Sequence, residues 1–257
     1  MLELKNISKI YNPGLVTEMC LFDDFNFTVN DGEFVSVIGS NGSGKTSMLN
    51  IICGSIPING GDVLINGKSI NKKKDFKRYA NMGRVYQNPA MGNCPNMTIL
   101  ENMSLADNKG KPFGLSFALN KKRFDFYKEQ LAALGLGLED KLHVKMGALS
   151  GGQRQAVSLL MATLTPIDFL ILDEHTAALD PKTAEIIMEL TNKIVTEKKL
   201  TAIMVTHNLR YAVEYGSRLI MMDKGHIILD KQGEEKKSAS IDDILEIFNR
   251  ISIECGN

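Results

Sequence analysis

The chain has 257 residues, 44% hydrophobic and 23% charged, ordinary globular values that suffice for one large domain or two modest ones with a real core. Thirty Lys and Arg balance thirty Asp and Glu, so the net charge is zero and the basic excess of a general nucleic-acid binder is absent. No apolar run approaches the roughly 18 residues that span a bilayer, and four scattered cysteines (Cys20, Cys53, Cys94, Cys255) without a CxxC pairing argue against a zinc site or a disulfide framework and fit a reducing cytosol.

The opening stretch MLELKNISKIY alternates apolar and polar residues, which predicts a strand over 2–11 and not a signal peptide; 21–29 predicts a second strand. FVSVIGS (34–40) reads as a buried strand running into a glycine-rich turn, and TSMLNIIC (46–53) then has helical apolar spacing. GGDVLINGKSI (60–70) predicts a hairpin with Asn66-Gly67 at its tip, and the run Lys72-Lys73-Lys74 a solvated loop. A short strand is expected at 84–87. From about 98 to 146 the pattern turns helical, with helices expected around 98–106 and 120–135.

Helix returns at 153–164, followed by the apolar strand FLIL (169–172). Asp180-Pro181 is a helix start, Asp as N-cap and Pro at the first position, with Ile187, Leu190 and Ile194 on the apolar face. LTAIMVTH (200–207) is another buried strand, and RLIMMDKGHIILD (218–230) a hairpin turning at Lys224-Gly225. Ser240 caps a last helix with Ile241, Ile244, Leu245 and Phe248 expected on one face. Buried strands alternating with helices imply an α/β core with a parallel sheet.

Two glycine-rich stretches carry chemistry. GSNGSGKT (39–46) matches the phosphate-binding P-loop and follows a strand and opens a helix, as that motif requires. Its glycines let backbone N–H groups converge on phosphate oxygens, and the helix N-terminus adds partial positive charge. Lys45 is expected to reach the β- and γ-phosphates and the Thr46 hydroxyl to hold Mg²⁺. The second stretch, LSGGQ (149–153), also precedes a helix but has no lysine and no metal ligand. Ser150 and the amides of Gly151 and Gly152 are expected to face outward as half an anion site, completed by a second copy in a two-fold dimer.

Other candidates stand at strand ends. FLILDE puts Asp173, expected on the Mg²⁺ side, and Glu174, expected to activate or orient the attacking water, at the edge where α/β sheets bind ligands. Gln87 could contact Mg²⁺ or that water, and His207 could donate to the γ-phosphate; taken alone, each reads more readily as a loop or structural residue. The ring of Tyr11 could stack on a base or simply fill a sheet edge. His175 is expected to pack under the loop and not to act.

In order and spacing, Gly39–Thr46, Gln87, Leu149–Gln153, Asp173-Glu174, Ala178-Leu179-Asp180 and His207 resemble the motifs of ATP-binding-cassette (ABC) ATPases over essentially the whole chain. The resemblance implies an α/β fold: a RecA-like P-loop NTPase core with an N-terminal antiparallel β subdomain (residues 1–87 and 156–257) and an inserted helical subdomain (88–155). It implies ATP and Mg²⁺ as ligands, with Tyr11, Gly39, Ser40, Asn41, Gly42, Ser43, Gly44, Lys45, Thr46 and Ser47 around the nucleotide. Ser150, Gly151, Gly152 and Gln153 would reach it from the partner copy, Thr46, Gln87 and Asp173 would lie on the metal side, and Lys45, Gln87, Glu174 and His207 would be catalytic.

The implied protein is a homodimeric ATPase on the inner face of the cell membrane. It would drive permease subunits, and an extracytoplasmic binding protein would deliver a small solute. Three positions depart from the usual pattern: His175 replaces a proline, and Ala156 and Met161 replace arginines. LDEHTAALDPKTA (172–184) resembles ATPases of bacterial importers, some assigned to aromatic amino acids. An exporter ATPase, a soluble cassette protein of repair or translation, and a non-hydrolysing regulator are the alternatives.

Overall fold

The computed structural model describes residues 1–111, 119 and 121–254. In chain order the first elements are β1 (Leu2–Tyr11), β2 (Met19–Val29), β3 (Phe34–Gly39), α1 (Lys45–Cys53), β4 (Gly60–Ile65), β5 (Lys68–Ser69), α2 (Asp75–Tyr79) and β6 (Met82–Val85). Next come α3 (Ile99–Asp107), α4 (Phe124–Ala132), α5 (Gly151–Ala162), β7 (Phe169–Asp173) and α6 (Pro181–Glu197). The chain ends with β8 (Thr201–Val205), α7 (Leu209–Glu214), β9 (Arg218–Asp223), β10 (His226–Gln232), α8 (Gly233–Lys237) and α9 (Ile241–Glu254). Two compact units result, residues 1–71 with 203–257, and residues 72–202.

The first unit holds an antiparallel sheet in the order β2-β1-β4-β5. Leu2, Leu4 and Ile7 are buried on β1, and β1 pairs with β2 from Leu2↔Val29 to Tyr11↔Met19. The register shifts between Leu4 and Ile7, where Asn6 and Asp24 both take left-handed backbone, a conformation Asn and Asp tolerate better than most residues. A second sheet runs β10-β9-β3-β8 within this unit. All six residues of β3 are buried, as befits a parallel strand covered on both faces.

β3 pairs in parallel with β9 from Val35↔Arg218 to Gly39↔Met222, and Thr206 donates its N–H to Val37 O at 3.1 Å. Both expected hairpin tips carry the left-handed pair such turns need: φ is 51° and 71° at Asn66-Gly67, and 43° and 81° at Lys224-Gly225. On α9, Ile244 packs into the cluster of Ile38, Ala212, Leu219 and Met221, joined by Ile247 and Phe248. Ile241 and Leu245 are exposed, so the apolar face is narrower than the sequence implied.

In the second unit β6 and β7 are parallel, from Met82↔Phe169 to Val85↔Leu172. The expected strand at 84–87 therefore lies two residues earlier, which leaves Gln87 beyond the strand. α3 opens on a capping box of Thr98 and Glu101, and α5 packs against α3, α4 and α6. Asp107 accepts two bonds from Arg123, at 3.0 and 2.8 Å, and one from the Tyr127 hydroxyl at 3.0 Å, which ties α3 to α4. The helix expected at 120–135 is a 3₁₀ turn, Lys121–Arg123, followed by α4, with residue 120 outside the described residues. α6 starts as read, with Asp180 capping Thr183 N–H at 3.1 Å and Pro181 at the first position. Cys20, Cys53 and Cys94 are free thiols; Cys255 lies outside the described residues.

Candidate functional site

In the first unit β3 delivers the chain into the loop 39–44, and α1 begins at Lys45. The residue capping α1 is Gly44, at φ 103°, where an L side chain would be strained and a Cβ would stand 2.9 Å from the Phe22 ring. Because the cap is a glycine, no side chain takes the first amides of α1, and the first turn has no acidic residue. By contrast α3, α5, α6, α7 and α9 are capped by side chains of Thr98, Ser150, Asp180, Asn208 and Ser240. An open N-terminus with partial positive charge suits a phosphate group.

Lys45 is buried at the base of the loop, and its Nζ donates to Gly39 O and Ser40 O at 2.8 Å each and to Ser43 Oγ at 3.2 Å. Those bonds fix the Lys45 amino group beside the loop. Ser40, Asn41, Gly42 and Thr46 are exposed, Ser43 and Gly44 buried, and Ser47 half-buried. The Tyr11 hydroxyl lies 3.1 Å from Ser47 Oγ, so the ring stands beside the first turn of α1, with Lys9 Nζ 4.8 Å from its centroid. His207 follows β8, the strand whose end bonds to β3 at Val37, and is exposed just before the Asn208 cap of α7. The structure thus brings Tyr11, Gly39 to Ser47 and His207 to one end of the first unit.

In the second unit Asp173 ends β7, and Glu174 follows at φ 48°, a left-handed conformation that costs a non-glycine residue energy and recurs at functional sites. Glu174 is half-buried. One oxygen of Asp173 accepts from Arg84 Nη2 at 2.6 Å, and both side chains are well shielded. His175 is 2% exposed, its Nε2 3.0 Å from Thr191 Oγ1. The Thr191 hydroxyl donates to Ile187 O at 2.7 Å, so Nε2 carries the proton and the hydroxyl oxygen accepts it. Burial pulls this imidazole down from its ordinary 6.5 to about 4, so it is neutral at pH 7. His175 therefore packs under the loop, as expected from the sequence. Gln87 is exposed two residues beyond β6.

The stretch Leu149–Gln153 forms the start of α5, two residues earlier than the helix predicted at 153–164, because Ser150 is its cap. Ser150 Oγ accepts from Gln153 N at 3.2 Å and Gln153 Oε1 accepts from Ser150 N at 3.3 Å, a reciprocal capping box. Ser150 and Gly151 are exposed, but Gly152 is buried: a Cβ there would stand 2.1 Å from Thr183 Cγ2 on α6. The Cα of Gly152 therefore lies against α6, and its lack of a side chain allows the close packing of α5 on α6. Asp180 is exposed, and the Thr183 hydrogen bonds hold its carboxyl below the usual carboxylate range.

Two residues escaped the sequence reading. Arg154 donates to Met146 O, Gly147 O and Leu149 O at 3.0–3.2 Å and so fastens the loop before α5. Arg84 pairs with Asp173. A charged residue inside a predicted core strand was the signal available for Arg84; nothing marked Arg154.

Among the described residues no three His, Cys, Asp or Glu side chains converge to hold a metal. Mg²⁺ is usually held by one or two carboxylates together with phosphate oxygens, so the single shielded carboxylate of Asp173 and the exposed Thr46 hydroxyl are donors of the right kind.

The sequence model of the family described as "ABC transporter" matches residues 22–177. The tyrosine transport ATP-binding protein of Clostridioides difficile is 45% identical over 248 residues, covering 96% of this chain and 98% of that protein. A phosphonates import ATP-binding protein of Lactococcus lactis is 32% identical, covering 95% and 98%. Among solved structures, a dimeric ATP-binding cassette in a post-hydrolysis state with ADP and phosphate superposes with a TM-score of 0.76 at 32% identity, covering 90% of this chain and 98% of that one. The ADP form of another ABC transporter cassette gives 0.79 at 26% identity, covering 96% and 98%.

Proposed function

As the chain belongs to the ABC transporter family and is an ABC ATPase, we propose that it is the Mg-ATP-hydrolysing subunit of a bacterial importer for a small solute, an aromatic amino acid above other classes. The observation that carries the ATP-binding part is the open N-terminus of α1, capped by Gly44 alone, with Lys45 buried beside it. The amides and Lys45 bind the nucleotide's phosphates, and Tyr11 stacks on the base. Thr46, Gln87 and Asp173 would supply the metal-side oxygens. Mg²⁺ when bound neutralises phosphate charge.

Glu174 orients and deprotonates the attacking water, and His207 donates to the γ-phosphate as charge builds there. Ser150, Gly151 and Gln153 serve the nucleotide of a second copy in a head-to-tail homodimer; Gly152 shapes the helix start that presents them. Residues 88–155 act as the helical subdomain that moves against the rest, residues 1–87 and 156–257, and the protein works at the inner face of the membrane. Support for an amino acid is the 45% identity to a tyrosine transport protein, and support for import is the 32% identity to a phosphonates import protein.

The second unit also offers a place for the permease. A groove of about 840 Å³ is lined by Phe76, Tyr86, Met91, Leu105, Lys109 and Met161, among others, and Phe76, Met91 and Leu105 are largely exposed. Of the methionines near Gln87, Met103 is fully buried and belongs to the core, whereas Met91 faces out and Met97 is half-buried. We propose that a cytoplasmic permease helix packs here, where an adaptable methionine suits more than one geometry.

The test is uptake into vesicles that carry the ATPase, the adjacently encoded permease and its binding protein. Labelled tyrosine should accumulate with ATP and a phosphonate should not. Accumulation of neither, or efflux of either, would overturn the substrate and direction.

A further inference from the structure

β6 and β7 are parallel neighbours with Arg84 opposite Ile171. Side chains two apart on a strand share a face, so Arg84, Tyr86 and Asp173 all lie on the face of Ile171. The arginine reaches along that face: its Nη2 donates to Asp173 Oδ2 at 2.6 Å, with the two side chains only 7% and 13% exposed. Its guanidinium lies 4.7 Å from the centroid of the Tyr86 ring, close enough for a cation–π contact. Tyr86 is fixed in turn, because its carbonyl accepts from Nε2 of the buried Gln155, on the helix that Ser150 caps, at 3.1 Å. The guanidinium is therefore held on both sides, and a shielded arginine of this kind is a fixed charge and not a wandering one.

We infer that Arg84 is a positioning residue for the metal-side carboxylate: it holds Oδ2 of Asp173 so that the group meets Mg²⁺ in one orientation. The inference rests on the reading of Asp173 as that carboxylate. Partners that orient a metal's ligands usually change metal affinity 10–100-fold when removed. Two effects oppose each other here. Orientation strengthens the site, and a nearby cation repels Mg²⁺. Orientation wins because the pair is short, shielded and braced by Tyr86, so a carboxylate freed from it has many rotamers that miss the metal. The link through Tyr86 and Gln155 also joins this carboxylate to the segment before Gln87 and to α5.

The test is a Mn²⁺ titration read by electron paramagnetic resonance, with a non-hydrolysable ATP analogue bound. Affinity for the analogue in excess EDTA is measured in parallel. Arg84→Met should raise the Mn²⁺ half-saturation by about 10–100-fold and leave metal-free nucleotide affinity unchanged. Arg84→Lys keeps the charge but loses the planar, stacked fork, so it should weaken Mn²⁺ less than Arg84→Met does. Should Arg84→Met fail to fold, Arg84→Lys carries the test, and an unchanged half-saturation there overturns the inference. Asp173→Asn should abolish the metal-dependent gain. If Asp173→Asn binds Mn²⁺ like the parent, the reading of Asp173 fails and the inference falls with it. If Asp173→Asn weakens Mn²⁺ but Arg84→Met leaves it equal or tighter, the inference alone is wrong.

Discussion

Two glycine-rich helix starts, at α1 and at α5, look alike in the sequence and differ in the structure. α1 is opened by Gly44 with no side chain on its amides, and it carries Lys45 at its base. α5 is closed by a reciprocal box of Ser150 and Gln153, and its own cation, Arg154, is turned back onto the carbonyls of Met146, Gly147 and Leu149. An open helix end with its own charge can bind a phosphate group unaided. A closed one satisfies most of its needs within the chain and contributes to a site that something else completes. The difference teaches that counting glycines identifies a backbone that can approach an anion, and capping decides whether it does so alone.

The largest effect should come from a change that touches neither helix. Glu174→Gln should slow ATP hydrolysis roughly 10²–10⁴-fold, the usual weight of a positioned base, and leave ATP affinity intact. Steady-state phosphate release and equilibrium nucleotide binding check the two halves. Near-normal turnover would remove Glu174 from its role.

Next is a change at the open end. Lys45→Ala removes charge-assisted bonds worth about 1.5–3 kcal/mol, so fluorescent-nucleotide affinity should fall by about 10–100-fold. Ser150→Ala at the closed end should barely change that affinity in the isolated monomer. Equal losses at both ends would erase the distinction drawn above.

The two glycines of α5 sharpen it further. Gly152→Ala forces a Cβ onto Thr183, and overpacking of this kind costs about 1–3 kcal/mol, a fall in melting temperature of several degrees. At Gly151 the nearest atom to a new Cβ, Leu179 Cδ2, is 3.4 Å away, so Gly151→Ala should melt like the parent. Matching melting curves for the two variants would contradict the packing role of Gly152.

The smallest effect near pH 7 belongs to His175. It is neutral there in the folded chain and mostly neutral in the unfolded one. Below its ordinary 6.5, and down to its folded value of about 4, only the unfolded chain takes up the proton. Stability should therefore fall as pH drops through that window, by on the order of a few kcal/mol at most. His175→Gln should lose this acid sensitivity and keep most ATPase activity at pH 7. Denaturant unfolding across pH 4–7 reads it, and identical acid slopes for parent and variant would refute the buried-neutral assignment.

What the sequence made legible were features punctuated locally. The P-loop lies between a mostly apolar strand and a helix, Asp180-Pro181 announces α6, and Asn66-Gly67 and Lys224-Gly225 announce their hairpins. Each needs only a few neighbouring residues to specify it. Burial of Gly152 was not legible, because it depends on Thr183 of a different helix. Nor was the pairing of Arg84 with Asp173, 89 residues apart, which only strand register brings together. α9 was over-read for a related reason: Ile241 and Leu245 fit the helical period, but they stay exposed while Ile244, Ile247 and Phe248 pack onto a core formed by other elements.

The claim that the closed end serves a second copy is tested most directly by a mixed dimer of Ser150→Arg and Lys45→Ala subunits, with bound ATP counted per dimer. If sites form across the interface, Lys45 of the Ser150→Arg subunit faces Ser150 of the Lys45→Ala subunit, and both defects fall together in the other site. One intact site should then bind one ATP and still close the dimer, whereas each variant alone should fail to close. If each subunit builds its own site, no intact site exists in the mixture, and complete loss of ATP-driven closure would contradict the account.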